Sequence, residues 1–271
     1  MSIDELALSK GELYTFVTNK TGRGKHGTIV ATVKGTLTKD IVQVLNLIPL
    51  EQRNLVKEVT LDMANNMESS IRKSFPQANL VTDRFHVVKL IIGVLQHIRI
   101  KYRWDELDIE NLAIETSKKK GKKHKPLILA NGDTPKQLLA RSRYVLARKP
   151  NEWTKSQIHR AELLFSRYPI LKSIYYHVLE FRNIYEIKNR EDAKTALLTW
   201  IDKTNKLNIK EFNSACKTIK NKMENILNFF INRNTNANAE SFNAKIKLFR
   251  ANLRGVVDNS FFLFRLNKLF A

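Results

Sequence analysis

Cysteine is almost absent from this chain of 271 residues. The lone Cys216 cannot close an intramolecular disulfide and leaves no pair for a CxxC zinc site. We therefore predict that its thiol is a buried, small hydrophobic group in a protein that works inside the cell. Long apolar runs are also missing, since none approaches the ~20 residues of a membrane span, and Met1 leads into Ser-Ile-Asp-Glu without a signal peptide. These absences predict a cytoplasmic protein without a membrane partner.

Acidic residues are scarce relative to basic ones. The chain has 26 Asp and Glu against 47 Lys and Arg, a formal net charge of +21 and a pI of about 10.0. Such an excess indicates a polyanionic partner, with nucleic acid favoured over an anionic membrane. A P-loop is excluded, because Gly22-Arg23-Gly24 lacks the Lys-Ser/Thr that such a loop needs. General disorder is disfavoured, because 43% of the residues are hydrophobic and can form a core.

The first third of the chain alternates between strand-like and helix-like apolar spacing. Three strand-like runs joined by turns are followed twice by a helix and a further strand, which gives the order β-β-β-α-β-α-β. The predicted strands cover about 3–8, 13–17, 29–33, 59–61 and 80–81, and the predicted helices about 38–48 and 63–75. This order predicts an α/β fold with a mixed sheet.

From His86 onward the apolar spacing is helical throughout. One long amphipathic helix runs toward Trp104, and the basic run 118–125 is predicted to be a loop. Trp153 and Trp200 are predicted core residues of an all-α block. Its further helices are predicted at about 134–148, 154–168, 169–187, 190–208 and 209–232, and two more helices close the chain.

Acidic side chains stand where an α/β sheet collects its functional groups. Asp62 and Asp83 each follow an apolar strand, Asp4 lies on the first strand, and Glu240 lies on a late helix. This order matches the RNase H-like plan, in which a five-stranded mixed sheet has the first strand at its centre and the fourth beside it. Asp4, Asp62 and Glu240 are the predicted catalytic and metal-binding carboxylates. They would hold two Mg²⁺ or Mn²⁺ ions ~3.5–4 Å apart, which activate water or a 3′-hydroxyl.

Each of these three acids also has a plainer interpretation. Asp4 could be solvated near a terminus, Asp62 could cap the helix that follows it, and Glu240 could pair with Lys245 or Lys247. The prediction therefore depends on the three acids as a set rather than on any one of them.

Asp83 and His86 form a separate element in Asp-Arg-Phe-His. They could bind a metal or orient a scissile phosphate, or they could be a structural pair at the start of the long helix. We favour a structural or supporting role. Zinc is disfavoured because few other ligands lie nearby in the sequence.

Basic residues near the predicted site are candidate phosphate contacts. Most runs of positive charge are solvated faces, but a helix that carries both Glu240 and several bases suits a DNA substrate. Such contacts would bind DNA with little sequence preference and a strong salt dependence. The candidates are Arg23, Lys25, Lys119, Lys120, Lys122, Lys123, Lys245, Lys247, Arg250 and Arg254.

Four segments together resemble a known family. They read Ser-Ile-Asp-Glu, Val-Thr-Leu-Asp-Met, Phe-Pro-Gln-Ala-Asn-Leu-Val-Thr-Asp-Arg-Phe-His-Val and Asn-Ala-Glu-Ser-Phe-Asn-Ala-Lys-Ile-Lys, and they extend over nearly the whole chain. They are similar to bacterial insertion-sequence DDE transposases of the ISL type, which are allied to the Mutator-like branch. The resemblance implies a catalytic triad of Asp4, Asp62 and Glu240. It also implies that Asp83 and His86 are the Asp-x-x-His signature of that branch.

The same resemblance implies a domain organisation and a reaction. An all-α insertion over about 105–233 would interrupt an RNase H-like core formed by 1–104 and 234–271. The expected protein is a transposase catalytic subunit that nicks double-stranded DNA at element ends and transfers the freed strand into target DNA. We expect it to act in the nucleoid as a homo-oligomer on DNA.

Two departures from the family keep other interpretations open. Relatives usually carry an N-terminal zinc-binding and helix-turn-helix region, whereas Asp4 stands close to Met1. Either a separate DNA-binding polypeptide supplies that region or the copy is truncated. Ala239 and Ser241 also stand where the family has a glycine beside the last acid. The alternatives are a remnant that binds DNA or a partner without catalysis, and an RNase H-like nuclease or resolvase without strand transfer.

Overall fold

The computed structural model describes residues 1–8, 11–253 and 258–271. The chain divides into two units. One, here called the sheet unit, contains Met1–Val87 and Asn221–Ala271, and the other, the helical unit, contains Val88–Lys220. Among the described residues, no helix combines the length and the apolarity that crossing a bilayer demands.

The sheet unit is built on five strands. They are β1 (Ser2–Ala7), β2 (Leu13–Thr18), β3 (Ile29–Lys34), β4 (Glu58–Leu61) and β5 (Asn79–Thr82). The order in the sheet is β3-β2-β1-β4-β5, with β1 at the centre. The β1–β2 and β2–β3 pairs are antiparallel, whereas β1–β4 and β4–β5 are parallel. This mixed sheet confirms the predicted α/β class and is consistent with an RNase H-like fold.

Helices cover both faces of this sheet. Strand residues alternate between the faces, so Ile3 packs with α1 (Thr38–Leu45) and α3 (Asn65–Ser74), while Leu6 packs on the opposite side. The opposite cover consists of α13 (Ala237–Asn252) and α14 (Asn259–Phe270). Asp4 has the same parity as Leu6 and therefore points to the face that α13 covers. A short helix, α2 (Leu50–Asn54), was not predicted.

Helix α4 (Arg84–Lys119) begins directly after β5 and is 36 residues long. The prediction that it ends near Trp104 and that the whole run 118–125 is a loop was wrong. Residues 105–119 contain no proline or glycine and many good helix formers, so nothing stops the helix there. Lysines in its last turn also complement the helix dipole. The chain leaves the helix before Gly121, which adopts a positive φ of 63°.

All secondary structure of the helical unit is helical. Trp200 is buried and stacks on His177, with 4.7 Å between the ring centroids. Trp153 is only half-buried and stacks on Tyr175, and Cys216 is buried as predicted. The helices after α4 are α5 (Pro135–Arg141), α6 (Arg143–Ala147), α7 (Lys155–Arg167), α8 (Pro169–Ile184), α9 (Arg190–Lys206) and α10 (Glu211–Asn221); α11 (Met223–Leu227) and α12 (Phe229–Asn232) follow in the sheet unit.

Candidate active site

Three aspartates stand level with one another, one on the central strand and one directly after each of the two neighbouring parallel strands. Ser2 is the partner of Thr60 across β1 and β4, and Thr60 is the partner of Val81 across β4 and β5. Two residues further along each strand, the same row reaches Asp4, Asp62 and Asp83. Neighbouring strands are about 4.8 Å apart, so the register alone brings these carboxyl groups to one edge of the sheet.

Asp4 lies on the central strand and is half-buried. Its Oδ1 accepts the backbone N–H of Glu5 at 2.9 Å, and its Oδ2 accepts the side-chain amide of Asn243, from α13, at 2.7 Å. Burial raises the pKa of Asp4, and the negative charges of Asp62 and Glu240 raise it further, whereas the Glu5 N–H and His86 oppose the rise. The carboxylate is therefore held in a crowded anionic environment.

Asp62 follows β4 and does not cap α3, whose N-cap residue is Ala64 and has no side-chain cap hydrogen bond. Its Oδ1 accepts the backbone N–H of Ala64 at 2.8 Å, directly before α3. This contact uses one of the two carboxylate oxygens and orients the side chain. The plainer interpretation of Asp62 as a helix cap was therefore wrong, and its second carboxylate oxygen has no role in this turn.

Asp83 is the most deeply buried acid of the group, at 2% exposure. Its Oδ1 accepts the backbone N–H of Asn236 at 3.1 Å, and its Oδ2 lies 3.2 Å from Nδ1 of His86 in the first turn of α4. The hydrogen bond with Asp83 raises the pKa of His86, burial opposes this rise, and the charges of Asp62 and Asp4 support it. The predicted pairing of Asp83 with His86 is thus present in the structure.

Asn236 connects the strands to the helix that carries Glu240, and the sequence did not single it out. It is fully buried, its side-chain oxygen accepts the hydroxyl of Thr60 at 3.0 Å, and its carbonyl accepts the N–H of Glu240 at 2.9 Å. Together with its N–H on Asp83, these bonds join β4, β5 and α13. An asparagine directly before a helix is a usual helix-start signal, which is the one hint that the sequence offered.

Glu240 is exposed in the first turn of α13. The plainer interpretation was that Glu240 pairs with Lys245. The ammonium of Lys245 instead donates to the carbonyl of Gly24 at 2.6 Å and lies 4.7 Å from the ring centroid of Phe270. Glu240 is instead one of a group with Asp83 and His86, whose ligand atoms all lie within 4.8 Å of one another.

The acids and His86 suit a divalent cation. Within the described parts of the chain, Asp83, His86 and Glu240 are the group of potential ligands that meets the 4.8 Å spacing. The predicted ligands Asp4 and Asp62 stand beside this group, close enough for their charges to alter the pKa of His86. Oxygen-rich clusters of this kind are what hard divalent ions prefer, since the ion relieves the repulsion between carboxylates.

The predicted DNA contacts differ in how free their charges are. Arg23, Lys25 and Lys247 are exposed, whereas the guanidinium of Arg250 lies 4.7 Å from the ring centroid of Phe262. In the helical unit, Lys119, Lys120, Lys122 and Lys123 are all exposed at and beyond the end of α4. Arg254 lies outside the described residues.

Comparison with known proteins places these features in a family. The model of the ISL3-type DDE transposase family, described as a transposase, matches residues 1–266. The transposase for insertion sequence element IS1001 of Bordetella parapertussis is 22% identical over 272 aligned residues, which cover all of this chain and 60% of the relative. The chain thus spans about three-fifths of the length of that relative. No solved structure matches the chain.

Proposed function

This chain belongs to the ISL3-type family of DDE transposases, and from that premise we propose that it cleaves DNA at the ends of an insertion sequence and joins the freed strands to target DNA. The family match confirms the resemblance predicted from the sequence. The observation that carries the proposal is the row of Asp4, Asp62 and Asp83 on adjacent strands, with Glu240 brought to it by α13.

Family membership implies a divalent metal ion. We propose that Asp4, Asp62 and Glu240 bind two such ions, either Mg²⁺ or Mn²⁺. His86 and Asp83 lie next to these three ligands. When bound, such ions lower the pKa of a coordinated water or 3′-hydroxyl and neutralise charge on the scissile phosphate. The fit is supported by the spacing of Glu240, Asp83 and His86, whose ligand atoms lie within 4.8 Å of one another. Burial and, to a smaller extent, the charges of Asp62 and Glu240 also raise the pKa of Asp4.

Hydrogen bonds within the chain hold the proposed metal ligands in position. Asn243 fixes one oxygen of Asp4, the N–H of Ala64 fixes one oxygen of Asp62, and Asn236 anchors the turn from which Glu240 projects. Side chains held in this way lose little freedom when the substrate phosphate arrives, which is the main way an enzyme accelerates phosphoryl transfer.

The basic residues supply affinity for the DNA backbone. Exposed side chains such as Lys25, Lys247 and Lys122 would neutralise phosphates without reading bases. In our proposal the substrates are double-stranded element ends and target DNA. A separate DNA-binding polypeptide and a second copy of this chain are the proposed protein partners, and the former would supply recognition of the ends.

A cleavage assay with matched variants tests the proposal. The purified chain, Asp62→Asn and Asp108→Asn are incubated with Mg²⁺ or Mn²⁺ and labelled DNA that carries the flanking element ends, with and without the proposed DNA-binding polypeptide. Asp108 is an exposed acid on α4 and serves as the control. We expect metal-dependent nicking that is lost in Asp62→Asn and kept in Asp108→Asn. Pre-cut ends then separate strand transfer from simple hydrolysis.

The opposite outcome has a defined meaning. DNA binding without nicking in every arm contradicts the enzymatic proposal and supports the remnant that binds DNA or a partner without catalysis. Nicking without transfer of pre-cut ends supports the nuclease or resolvase.

A further inference from the structure

We propose that Asp83, His86 and Glu240 form a divalent-cation site in which the His86 imidazole is a direct nitrogen ligand. This inference deepens the proposed function, on which it rests, because it places a mixed nitrogen and oxygen site at the Asp83 end of the row of aspartates. It also gives Asp83 and His86 a role in ion binding in addition to their structural pairing.

The spacing of the three side chains carries the first step. Their ligand atoms lie within 4.8 Å of one another. Ligands bound at about 2.0–2.2 Å around one octahedral ion stand about 3–4 Å apart, so a small closure of the three groups suffices to share an ion. Asp83 and Glu240 offer carboxylate oxygens, and His86 offers a ring nitrogen.

The surroundings of the ligands carry the second step. The backbone N–H of Asp83 donates to the carbonyl of Leu61 at 2.8 Å, and the N–H of Asn236 donates to Oδ1 of Asp83, so both the backbone and the carboxylate of Asp83 are held. The carbonyl of the same Asn236 accepts the N–H of Glu240. Bonds of this kind behind the ligands are what holds metal sites in geometry, and their loss weakens such sites by about 10–100-fold.

Charge and exposure carry the third step. Asp4 and Asp62 add negative charge beside the group, as their effect on the pKa of His86 shows. The His86 side chain is 28% exposed and Glu240 is exposed, so an ion can enter from solvent while Asp83 stays buried. A buried carboxylate with a half-buried imidazole and an exposed carboxylate therefore leaves open positions for water or a phosphate oxygen.

A nitrogen ligand changes which ion is preferred. Imidazole suits Mn²⁺ and later transition ions better than it suits Mg²⁺, whose usual ligands are oxygens. We therefore expect this site to bind Mn²⁺ more tightly than Mg²⁺, and His86→Gln to lose that preference. The Mn²⁺ affinity should fall by at least the roughly 10–100-fold that the loss of a residue behind a metal ligand causes.

Mn²⁺ added to the full chain gives a direct spectroscopic test. Pulsed electron paramagnetic resonance detects the nitrogen of a coordinated imidazole as a modulation of the Mn²⁺ echo. We expect this modulation in the wild type and in His97→Gln, which changes an exposed histidine of the same helix. It should be absent in His86→Gln. Titration of each protein with Mn²⁺ gives the affinities.

A second variant keeps the test sharp if His86→Gln disturbs the fold. Glu240 is exposed, so Glu240→Gln should fold normally and still lower the Mn²⁺ affinity. Mn²⁺ binding without nitrogen modulation in the wild type, or no Mn²⁺ binding at all, overturns the site. If nicking is nevertheless metal-dependent and abolished by Asp62→Asn, the proposed function stands and only this ligand assignment fails.

Discussion

Acidic and basic residues are distributed unevenly between the two units of the molecule. The helical unit has 28 Lys and Arg against 14 Asp and Glu, whereas the sheet unit has 19 against 12. The sheet unit is therefore itself basic, yet it gathers Asp4, Asp62, Asp83 and Glu240 around one edge. A local anionic site in a basic protein shows that the fold, rather than the composition, makes the site. The larger positive excess of the helical unit suits a polyanion.

The units also differ in how their charged side chains are held. Asp4 accepts a hydrogen bond from Asn243, which lies far away in the sequence, and Asn236 accepts one from Thr60, which is also distant in the sequence. The run from Lys119 to Lys123, in contrast, is exposed at the end of a helix. Catalysis requires side chains that are held in fixed positions, whereas attraction to phosphates requires only positive charge. Substitutions in the sheet unit should therefore impair the nicking rate, whereas substitutions in the helical unit should weaken DNA binding.

The largest effect should come from removing the charge of Asp4. If Asp4 is a metal ligand as proposed, Asp4→Asn should lower the nicking rate by about 10³-fold, because such a ligand contributes several kcal/mol to the stabilisation of the transition state. Metal-free Asp4→Asn should also melt at a higher temperature than the wild type at pH 7. Folding raises the pKa of Asp4 above its ordinary value of 3.8, so the ionised carboxylate lowers the stability of the fold at neutral pH. This destabilisation is absent below pH 3.8, where the carboxyl group is protonated in both states.

Nicking rates and melting temperatures from pH 7 down to pH 4 check both parts. The gain in melting temperature should vanish as the pH approaches 4. A variant that keeps a tenth of the wild-type rate would contradict the role of Asp4, and Asp108→Asn should match the wild type in both measurements.

Removing the support of Asp4 should have the next largest effect. Asn243→Ala deletes the 2.7 Å hydrogen bond to Asp4, so the nicking rate at low Mg²⁺ should fall by about 10–100-fold and recover partly at high Mg²⁺. The Mg²⁺ dependence of nicking is the measurement. Asn238→Ala, an exposed change on the same helix, is the control and should keep the wild-type curve.

Substitutions in the helical unit should change affinity and leave chemistry intact. Glutamine at Lys119, Lys120, Lys122 and Lys123 should reduce the slope of log affinity against log salt by about 3 to 4, since each phosphate contact contributes about 0.9. Fluorescence anisotropy with labelled duplex DNA measures this slope. The nicking rate at saturating DNA should stay unchanged.

A charge-matched control decides whether those lysines are specific contacts. Glutamine at four other exposed lysines of the helical unit removes the same net charge and should change the slope less. These are Lys172, Lys188, Lys206 and Lys217. Equal slopes for the two quadruple variants would mean that only the total charge of the unit matters.

The smallest effect concerns the point at which the chain returns to the sheet unit. The ammonium of Lys222 is nearly buried and donates to Glu68 and Asn65, both at 2.8 Å. Burial disfavours the charge of Glu68, but hydrogen bonds from Lys222 and Arg72 outweigh it and lower its pKa to about 2. Glu68→Gln should therefore reduce the free energy of unfolding by about 1–2 kcal/mol at pH 7, with allowance for its partial exposure.

Urea unfolding at several pH values tests this contribution. A lowered pKa stabilises the fold above the unfolded value of 4.5, and the contribution is lost as the pH falls toward 2. The difference between Glu68→Gln and the wild type should therefore narrow at pH 3. Glu51→Gln, an exposed acid on α2, should unfold like the wild type at both pH values.

The strands and their acids were predictable because they depend on local patterns. A short alternating run before Asp62 and a short apolar run before Asp83 predict the two strands, and the parallel register then sets the acids in one row. The end of α4 was missed because charged helix formers after Trp104 continue a helix without an apolar face to mark it. Asn236 and Asn243 were missed as contacts because their partners lie far away in the chain, where no spacing rule reaches.

The cover of the sheet by α13 and α14 has a consequence for synthesis. All five strands end by Thr82, whereas the apolar side chains that cover the Leu6 and Phe16 face come from Phe242 onward. At about 5–20 residues per second, the roughly 160 residues between them take on the order of 10–30 seconds to translate. Throughout that interval the apolar sheet face of the ribosome-bound chain has no cover from α13 and α14. The chain also lacks Glu240, so the group of potential metal ligands that Asp83, His86 and Glu240 form is incomplete until α13 has been synthesised.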